Sequence, residues 1–445
     1  MSATCDIPSL IDKEPVRPFQ WVIFALCFLT TLFDGFDTRA IGYTGPAIIA
    51  AFGLRPSELA PILIAGTLGM TVGAMTLGLL GDRVGRRPAL LGGVALFSVA
   101  SLLTAFAKST SPILVLRFVA GLGMGGCTPV LLALAAEFWP ARHRGAVMTG
   151  VLLGLPAGAM VGALLASKMM PSLGWQSVFI AGGAAPLCLL VVLFFVLPES
   201  LSFSISQVRG RNTDSVRRLV SKVLKIQVPA DTVFAVPANT ARASVRALFG
   251  DGKSRNTVAI WCVYFCNWVA WFMFLSWLPT VLKATGLPAT QAPMGTVTVN
   301  AVFIVCAVPL SLLLPRVSTR LILVALMALG IALSIGLSVS GASWTAVFLL
   351  VGAAGLGIGG QQIVLNYLTV EAYPTTLRAT ATGWAIGMGR LGAIFGSAIG
   401  GSVLEFGGPA GFYAALALPL LVALLSVMLI RSSNSAEDKD FAPVH

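Results

Sequence analysis

Residues 121–126 read GLGMGG, and residues 355–360 read GLGIGG. The two copies lie 234 residues apart, and the match continues beyond them. EFWPARHR at 137–144 has the same offset from EAYPTTLR at 371–378. A repeat that keeps one offset over several motifs indicates a single structural unit written twice. The chain therefore consists of two homologous halves.

Small residues support this alignment. Gly158 and Gly162 fall four residues apart, and the same offset places them on Gly392 and Gly396. Pairs of small residues with this spacing let neighbouring membrane helices approach closely. We expect each pair to lie at a helix contact within its own half.

The composition is that of an integral membrane protein. Of 445 residues, 57% are hydrophobic and 10% are charged, whereas soluble domains carry about 25% charged residues. Apolar stretches of about 20 residues cross a bilayer as helices. Twelve of them follow one another, at 19–51, 59–80, 88–107, 112–138, 145–169, 175–197, 256–282, 291–314, 320–340, 343–372, 379–405 and 409–430.

The repeat and the spans together predict an all-α integral membrane fold with twelve transmembrane helices in two homologous six-helix bundles. The predicted parts are a cytoplasmic N-terminal segment 1–18, a first bundle 19–198, a cytoplasmic linker loop 199–255, a second bundle 256–431 and a cytoplasmic tail 432–445. An even number of spans gives both halves the same orientation, an arrangement used for alternating access. The linker sequence favours a surface segment, partly helical, over a separate domain.

The net charge of +12 follows membrane topology. With both termini inside, most of the 29 Lys and Arg residues fall on the cytoplasmic side, as the positive-inside rule requires. Basic loops beside anionic lipid headgroups account for the charge without a nucleic-acid partner. The outer loops hold only four basic residues: Arg55, Lys108, Lys168 and Lys283.

Residues typical of enzymes and metal sites are scarce. The seven cysteines fall almost entirely within spans and have no zinc-finger spacing, so no metal is expected. Cys262 and Cys266 lie one turn apart without nearby histidine or acid, which favours packing. The two histidines, His143 and His445, lie outside the spans. Without a histidine cluster, a nucleotide loop or a nucleophile beside a base, the sequence predicts no enzyme and no cofactor.

Three motifs together resemble the signature set of the major facilitator superfamily. They are GDRVGRR at 81–87, RFVAGLGMGG at 117–126 and LPES at 197–200. The first motif places Gly81 and Gly85 at a tight turn, with a charged cluster that faces helix ends. We interpret the cluster as a latch that breaks and re-forms during transport; the alternative is that it only fixes topology. The latch residues are Gly81, Asp82, Arg83, Gly85, Arg86 and Arg87, with Glu137, Arg144, Glu371 and Arg378, where each glutamate is expected to pair with the arginine that follows it.

Further motifs resemble the aromatic acid:proton symporters within that superfamily. They are DGFDT at 34–38, SWLPT at 276–280 and YPTTLRATATGWAIGMGRLGAIFG at 373–396. The resemblance to the superfamily covers the whole chain. It implies inward symport of protons with an aromatic, hydroxylated carboxylate such as 4-hydroxybenzoate or protocatechuate, by a monomer in the bacterial inner membrane. Arg39 departs from the pattern, because a small residue is expected there.

Four charges within the spans are not duplicated. At the offset of the repeat, the partners of Asp34, Asp37, Arg117 and Arg390 are Trp268, Trp271, Val351 and Pro156. Residues needed only for the scaffold tend to recur in both halves. The asymmetry indicates chemistry, with drift after duplication as the alternative.

Asp34 and Asp37 are the predicted proton-coupling residues. They lie three residues apart and share a helix face, and two carboxylates in a low-dielectric site resist being ionised together. Such a pair takes up and releases protons as one unit, with Arg117 as a relay or partner. The alternative is a fixed ion pair of either aspartate with Arg39 or Arg117.

Arg390 is the predicted partner of the substrate carboxylate. Its planar guanidinium binds carboxylates bidentately and cannot lose its charge; a static bond to a helix-end carbonyl is the alternative. We expect Trp268 and Trp271 to stack on the substrate ring, unless they only pack the bundle. The remaining predicted substrate contacts are Asn267, Gln361 and Asn366, for ring hydroxyls, and Arg39.

Two other functions fit the same fold. A proton-coupled exporter of hydrophobic compounds would carry a GPxxGG-like run in span 5, where GLPAGAMVGA at 154–163 agrees only partly. A membrane sensor would bind the ligand without moving it. We favour import.

Overall fold

The computed structural model describes residues 4–5, 11–12, 14–207, 221, 233–234, 244–250, 252–314, 316–340 and 343–430. Long helices dominate these residues, and we number the membrane spans 1 to 12 along the chain. Spans 1 to 6 are Pro18–Phe52, Pro56–Val84, Arg86–Thr104, Thr110–Phe138, Ala141–Leu152 continued by Gly154–Leu173, and Gln176–Val196. Spans 7 to 10 are Ser254–Ala284, Met294–Leu313, Thr319–Val339, and Trp344–Ala354 continued by the π-helical turn Gly355–Gly359 and by Gln361–Ala372.

Spans 11 and 12 form the long helix Thr375–Leu429. It has 55 residues, about 80 Å at ~1.5 Å per residue, far more than the ~30 Å of a bilayer core. Its backbone breaks at Gly408, where φ is 62°, a value that favours glycine. The helix is therefore two spans. Eleven helices among the described residues are long and apolar enough to cross a membrane, and division of the last one at Gly408 gives the twelve predicted spans.

Short elements accompany the spans. They are the helix Leu201–Gln207, the 3₁₀ turn Val245–Leu248, and the two-residue strands Thr4–Cys5 and Val233–Phe234, which pair in parallel. The rest of the predicted linker and most of both terminal segments lie outside the described residues.

The chain divides into two compact units. The first is Met1–Asn239 with Ser276–Ile304, and the second is Thr240–Leu275 with Val305–His445. Each contains an apolar core, around Phe97, Leu131 and Phe138 in the first unit and around residues such as Val263 and Leu365 in the second. The predicted bundle boundaries at 199–255 stay a prediction.

Close helix contacts recur at the repeated glycines. A Cβ on Gly158 would overlap the carbonyl of Leu32 in span 1, and a Cβ on Gly392 would overlap that of Phe265 in span 7. Spans 1 and 5 therefore approach as closely as spans 7 and 11. This confirms the role predicted for the small residues.

Candidate functional site

The first part of the site is a buried ion pair between spans 1 and 4. Asp37 is 2% exposed and Arg117 is 3% exposed. Arg117 Nη1 lies 2.9 Å from Asp37 Oδ2. Ser101 in span 3 donates its hydroxyl hydrogen bond to the other oxygen of the carboxylate. Of the fixed pairs considered from the sequence, the structure therefore contains Asp37 with Arg117.

Further contacts hold the guanidinium in place. Arg117 Nη2 donates to Thr104 Oγ1 at 3.1 Å, and its Cζ lies 5.0 Å from the ring centroid of Phe179 in span 6. A buried ion pair is stable only when such additional bonds offset desolvation. Sequence reasoning missed Ser101 and Thr104, although their three-residue spacing puts them on one face of span 3.

Asp34 has other partners. It is fully buried and accepts hydrogen bonds from Thr38 Oγ1 at 3.1 Å and from Thr128 Oγ1 in span 4 at 3.0 Å. Thr38 also contacts the sulfur of Met124 at 3.6 Å. Asp34 thus has hydroxyl neighbours where Asp37 has a guanidinium. Arg39 is half-buried on the same helix.

The second unit contains a cluster of amides between spans 7 and 10. Asn267 is fully buried and its Nδ2 donates to Gln361 Oε1 at 2.6 Å and to the carbonyl of Ile358 at 3.2 Å. Gln362 Nε2 donates to Asn267 Oδ1, and Gln361 Nε2 donates to the carbonyl of Gly357 at 2.6 Å. Asn267 and Gln361, predicted to contact substrate, are bonded here to each other and to the backbone.

This amide cluster coincides with an irregular turn. Gly355–Gly359 is π-helical, a geometry that often occurs at functional sites. The carbonyls of Gly357 and Ile358 within it accept the side-chain bonds of Gln361 and Asn267. The sequence did not predict this turn or the part of Gln362.

The aromatic residues of span 7 lie nearby in the same unit. Trp268 packs against Gly389 of span 11, directly before Arg390, which is half-buried. Trp271 is 9% exposed. Asn366 is exposed and accepts a hydrogen bond from Tyr264 at 3.1 Å. Trp268 thus lies against the residue of span 11 that precedes Arg390.

The predicted latch is organised around two glutamates. Gly85 has φ 115°, and a Cβ there would lie 2.6 Å from Glu199 Oε2. Glu199 Oε1 accepts from the backbone N–H groups of Arg86 and Arg87 at 2.9 and 3.0 Å. Arg86 also forms an ion pair with Glu137. Glu199 thus caps span 3, a part that the sequence analysis did not assign to it.

Other latch residues have different partners from those expected. Arg144 Nε donates to the carbonyl of Trp139 at 2.9 Å rather than to Glu137. In the second unit, Arg378 Nε donates to the carbonyl of Tyr373 at 3.0 Å. Glu371 accepts from Thr319 Oγ1 at 2.9 Å. Of the rest, Gly81 continues the helix of span 2, Arg83 is exposed, and the side chain of Asp82 lies outside the described part of the chain.

No metal centre is present among the described residues, since none of their His, Cys, Asp and Glu side chains form a group of three or more that could hold an ion. The two thiols of Cys262 and Cys266 lie 4.0 Å apart, and Ser426 donates to the first of them.

Comparison with known proteins places these features in a family. The Major Facilitator Superfamily profile matches residues 27–385 and 260–444. The chain is 35% identical to the gallate transporter of Pseudomonas putida, over 96% of this chain and 93% of that protein. It is 34% identical to the 4-hydroxybenzoate transporter PcaK of Pseudomonas aeruginosa, over 95% of each.

A solved structure has the same fold. The xylose transporter XylE from E. coli superimposes with a TM-score of 0.72, at 16% identity, over 94% of this chain and 98% of that one. At this identity the likeness concerns the fold alone. With the profile match and the two relatives, it leads to one conclusion: the chain belongs to the Major Facilitator Superfamily, as a membrane transporter, not an enzyme, related to carriers of aromatic acids.

Proposed function

We propose that this protein imports an aromatic, hydroxylated carboxylate by proton symport through alternating access. The observation that carries the proposal is the buried pair of Asp37 and Arg117, whose members come from different spans. The substrate class is supported by relatives named for gallate and 4-hydroxybenzoate.

The ion pair supplies a means of coupling. When Asp37 binds a proton from outside, its carboxylate loses its charge and its attraction for Arg117 weakens. The guanidinium of Arg117 then retains its hydrogen bond to Thr104 and its cation–π contact with Phe179. Release of the proton to the cytoplasm restores the pair. A proton is thus carried across with each cycle of breaking and re-forming.

Arg390 is our proposed partner for the substrate anion. Its segment of span 11 is half-buried and includes Gly389, against which Trp268 packs. A guanidinium binds a carboxylate through two parallel hydrogen bonds. Neutral esters and amides of the same ring acids should therefore be poor substrates.

The proposed location is a bacterial inner membrane with both termini in the cytoplasm. Support comes from the bacterial origin of the relatives and from the few basic residues in the predicted outer loops.

The test is accumulation of labelled 4-hydroxybenzoate in proteoliposomes with an imposed inward proton gradient. Native protein should concentrate the acid above the external level, and a protonophore should abolish the excess. Asp37→Asn should lose uphill uptake, whereas Glu58→Gln, at an exposed carboxylate that bonds to Arg55 at the start of span 2, should retain it. Mere equilibration by native protein would refute proton symport, and absence of uptake of 4-hydroxybenzoate, gallate and protocatechuate would refute the substrate class.

A further inference from the structure

The indole of Trp268 packs against the backbone of span 11 at Gly389. A Cβ on Gly389 would lie 2.8, 2.9 and 3.0 Å from Cδ2, Cε2 and Nε1 of the indole. Three bonded ring atoms at nearly equal distances mean that Gly389 lies over the face of the indole. Phe272 stacks on the same side chain, with centroids 5.5 Å apart and planes at 14°. A substrate ring can use the face over Gly389 only if the indole first moves away.

The described residues offer no acceptor to the indole N–H in this position. Trp268 Nε1 is buried and has no hydrogen-bond partner among the described residues. The indole nitrogen is a donor only, and a buried donor left without an acceptor is costly. A hydrogen-bond acceptor on an incoming ligand would therefore stabilise the indole N–H in a new position.

Side-chain hydrogen bonds beside Trp268 join span 7 to span 10. The preceding residue, Asn267, is bonded to Gln361, Gln362 and the carbonyl of Ile358 in span 10. Rotation of the indole away from Gly389 about its side-chain torsions would leave these hydrogen bonds intact.

We propose that Trp268 is a substrate-binding residue whose N–H turns from Gly389 to bind the substrate carboxylate. The inference rests on the proposed function and adds a residue and a motion to it. Arg390, assigned to the same carboxylate, is the next residue of span 11. A charged acceptor forms the stronger hydrogen bond, which favours the carboxylate over a ring hydroxyl.

Binding to purified protein tests the assignment. The ligands are 4-hydroxybenzoate and benzoate, and the variants are Trp268→Phe and a matched control, Trp261→Phe. Trp261 stacks on Trp384, at 5.7 Å and 20°. Trp268→Phe should raise the Kd of both acids by about 10-fold, as expected for a lost bond to a charged group, and the control should leave both unchanged.

Three outcomes of the binding assay would contradict the proposal or the function on which it rests. Unchanged affinity of Trp268→Phe for both acids contradicts the proposal. Weakening confined to 4-hydroxybenzoate assigns the N–H to the ring hydroxyl and contradicts the carboxylate. If native protein binds none of the aromatic acids, the proposed function fails and this inference fails with it.

Indole NMR of protein labelled with ¹⁵N-tryptophan separates binding from a structural effect. The Trp268 resonance is the one missing from Trp268→Phe, and it should move downfield when either acid is added. Gly389→Ala places a methyl group against the indole face, so the Trp268 resonance of that variant without ligand should differ from the resonance of native protein without ligand. If the chemical shift of the Trp268 indole N–H does not change when either acid is added, the proposal is contradicted, even if Trp268→Phe binds the acids weakly.

Discussion

The two copies of one hexapeptide differ in structure. GLGMGG at 121–126 lies inside a regular α-helix, Thr110–Phe138. GLGIGG at 355–360 begins with the π-helical turn Gly355–Gly359. The difference shows that the repeat specifies where a close helix contact occurs, while the neighbouring spans decide the backbone geometry at that contact.

The neighbours of equivalent glycines account for part of this difference. A Cβ on Gly123 would lie 2.5 Å from the carbonyl oxygen of Gly93 and 2.8 Å from the amide of Phe97. At the equivalent position, a Cβ on Gly357 would lie 3.0 Å from the amide of Gly330. The first copy is thus packed more tightly against span 3 than the second is against span 9.

Polar side chains account for the rest. Near the first copy, Thr128 bonds to the carboxylate of Asp34 in span 1. At the equivalent positions, Gln362 and Gln361 bond to Asn267 in span 7, and the carbonyls of the π turn take up further amide bonds. The first half thus joins its spans through charged groups and hydroxyls, and the second through neutral amides. Because carboxylates can bind and release protons, we expect proton coupling in the first half.

Removing the charge from the first half should have the largest effect. Arg117→Gln leaves the buried carboxylate of Asp37 without its guanidinium, at a cost of about 3–5 kcal/mol, and should abolish uphill uptake. Thermal unfolding in detergent measures the loss. The double variant Asp37→Asn/Arg117→Gln should regain most of the stability but not the uptake. Equal instability of the single and double variants would contradict the account.

Alanine at the equivalent glycines should separate the two copies. Gly123→Ala forces backbone atoms of spans 3 and 4 apart and should cost ~3 kcal/mol, the upper end for over-packing. Gly357→Ala should cost about 1 kcal/mol or less, because its neighbour needs to move only slightly and alanine favours helix. Melting temperatures of the two variants should therefore differ clearly; equal losses would remove the packing explanation.

The amide cluster should be the third most sensitive feature. Asn267→Ala leaves the amide groups of Gln361 and Gln362 and the carbonyl of Ile358 without that partner, at about 1–3 kcal/mol. Thr128→Val removes one hydroxyl donor in the first half and should have a smaller effect. Hydrogen exchange should increase locally at 355–360 in the first variant only. Unchanged exchange there would show that the amides do not hold the π turn.

The smallest effect is expected at the cap of span 3. Glu199→Gln keeps an acceptor for Arg86 and Arg87 but removes the charge at the helix start, at roughly 1 kcal/mol. Glu371→Gln, which weakens one bond from Thr319, should have less effect still. The melting temperatures of both variants measure this, and a larger loss at Glu371 would reverse the expected order.

The sequence predicted the scaffold because its signals are local and repeated. Hydropathy marked the spans, and the spacing of Gly158 and Gly162 marked a helix contact. Partners from separate spans were harder to predict. The rotation of each helix about its axis decides which side chains of neighbouring spans meet, and a hydropathy pattern does not specify that rotation. The contacts of Ser101, Thr128 and Gln362 depend on it.

The π turn was hidden for a different reason. The glycine runs at 121–126 and 355–360 are almost identical, so the local sequence contains no signal for the different geometry. The side chains of Asn267 and Gln361, which bond to its carbonyls, lie in or beside the second copy and have no amide counterpart in the first. One signal could have indicated the π turn: the second half has amide side chains at positions where the first half of the repeat has none.

The most direct test of the central claim compares two assays on Asp37→Asn. Counterflow exchange of labelled for unlabelled 4-hydroxybenzoate needs no net proton movement, whereas accumulation under an inward proton gradient does. The account predicts that the variant retains counterflow and loses accumulation, because only coupling depends on the carboxylate. Accumulation at the native level would contradict the role of Asp37 in coupling, and loss of both activities would show that the pair with Arg117 serves the scaffold or the substrate instead.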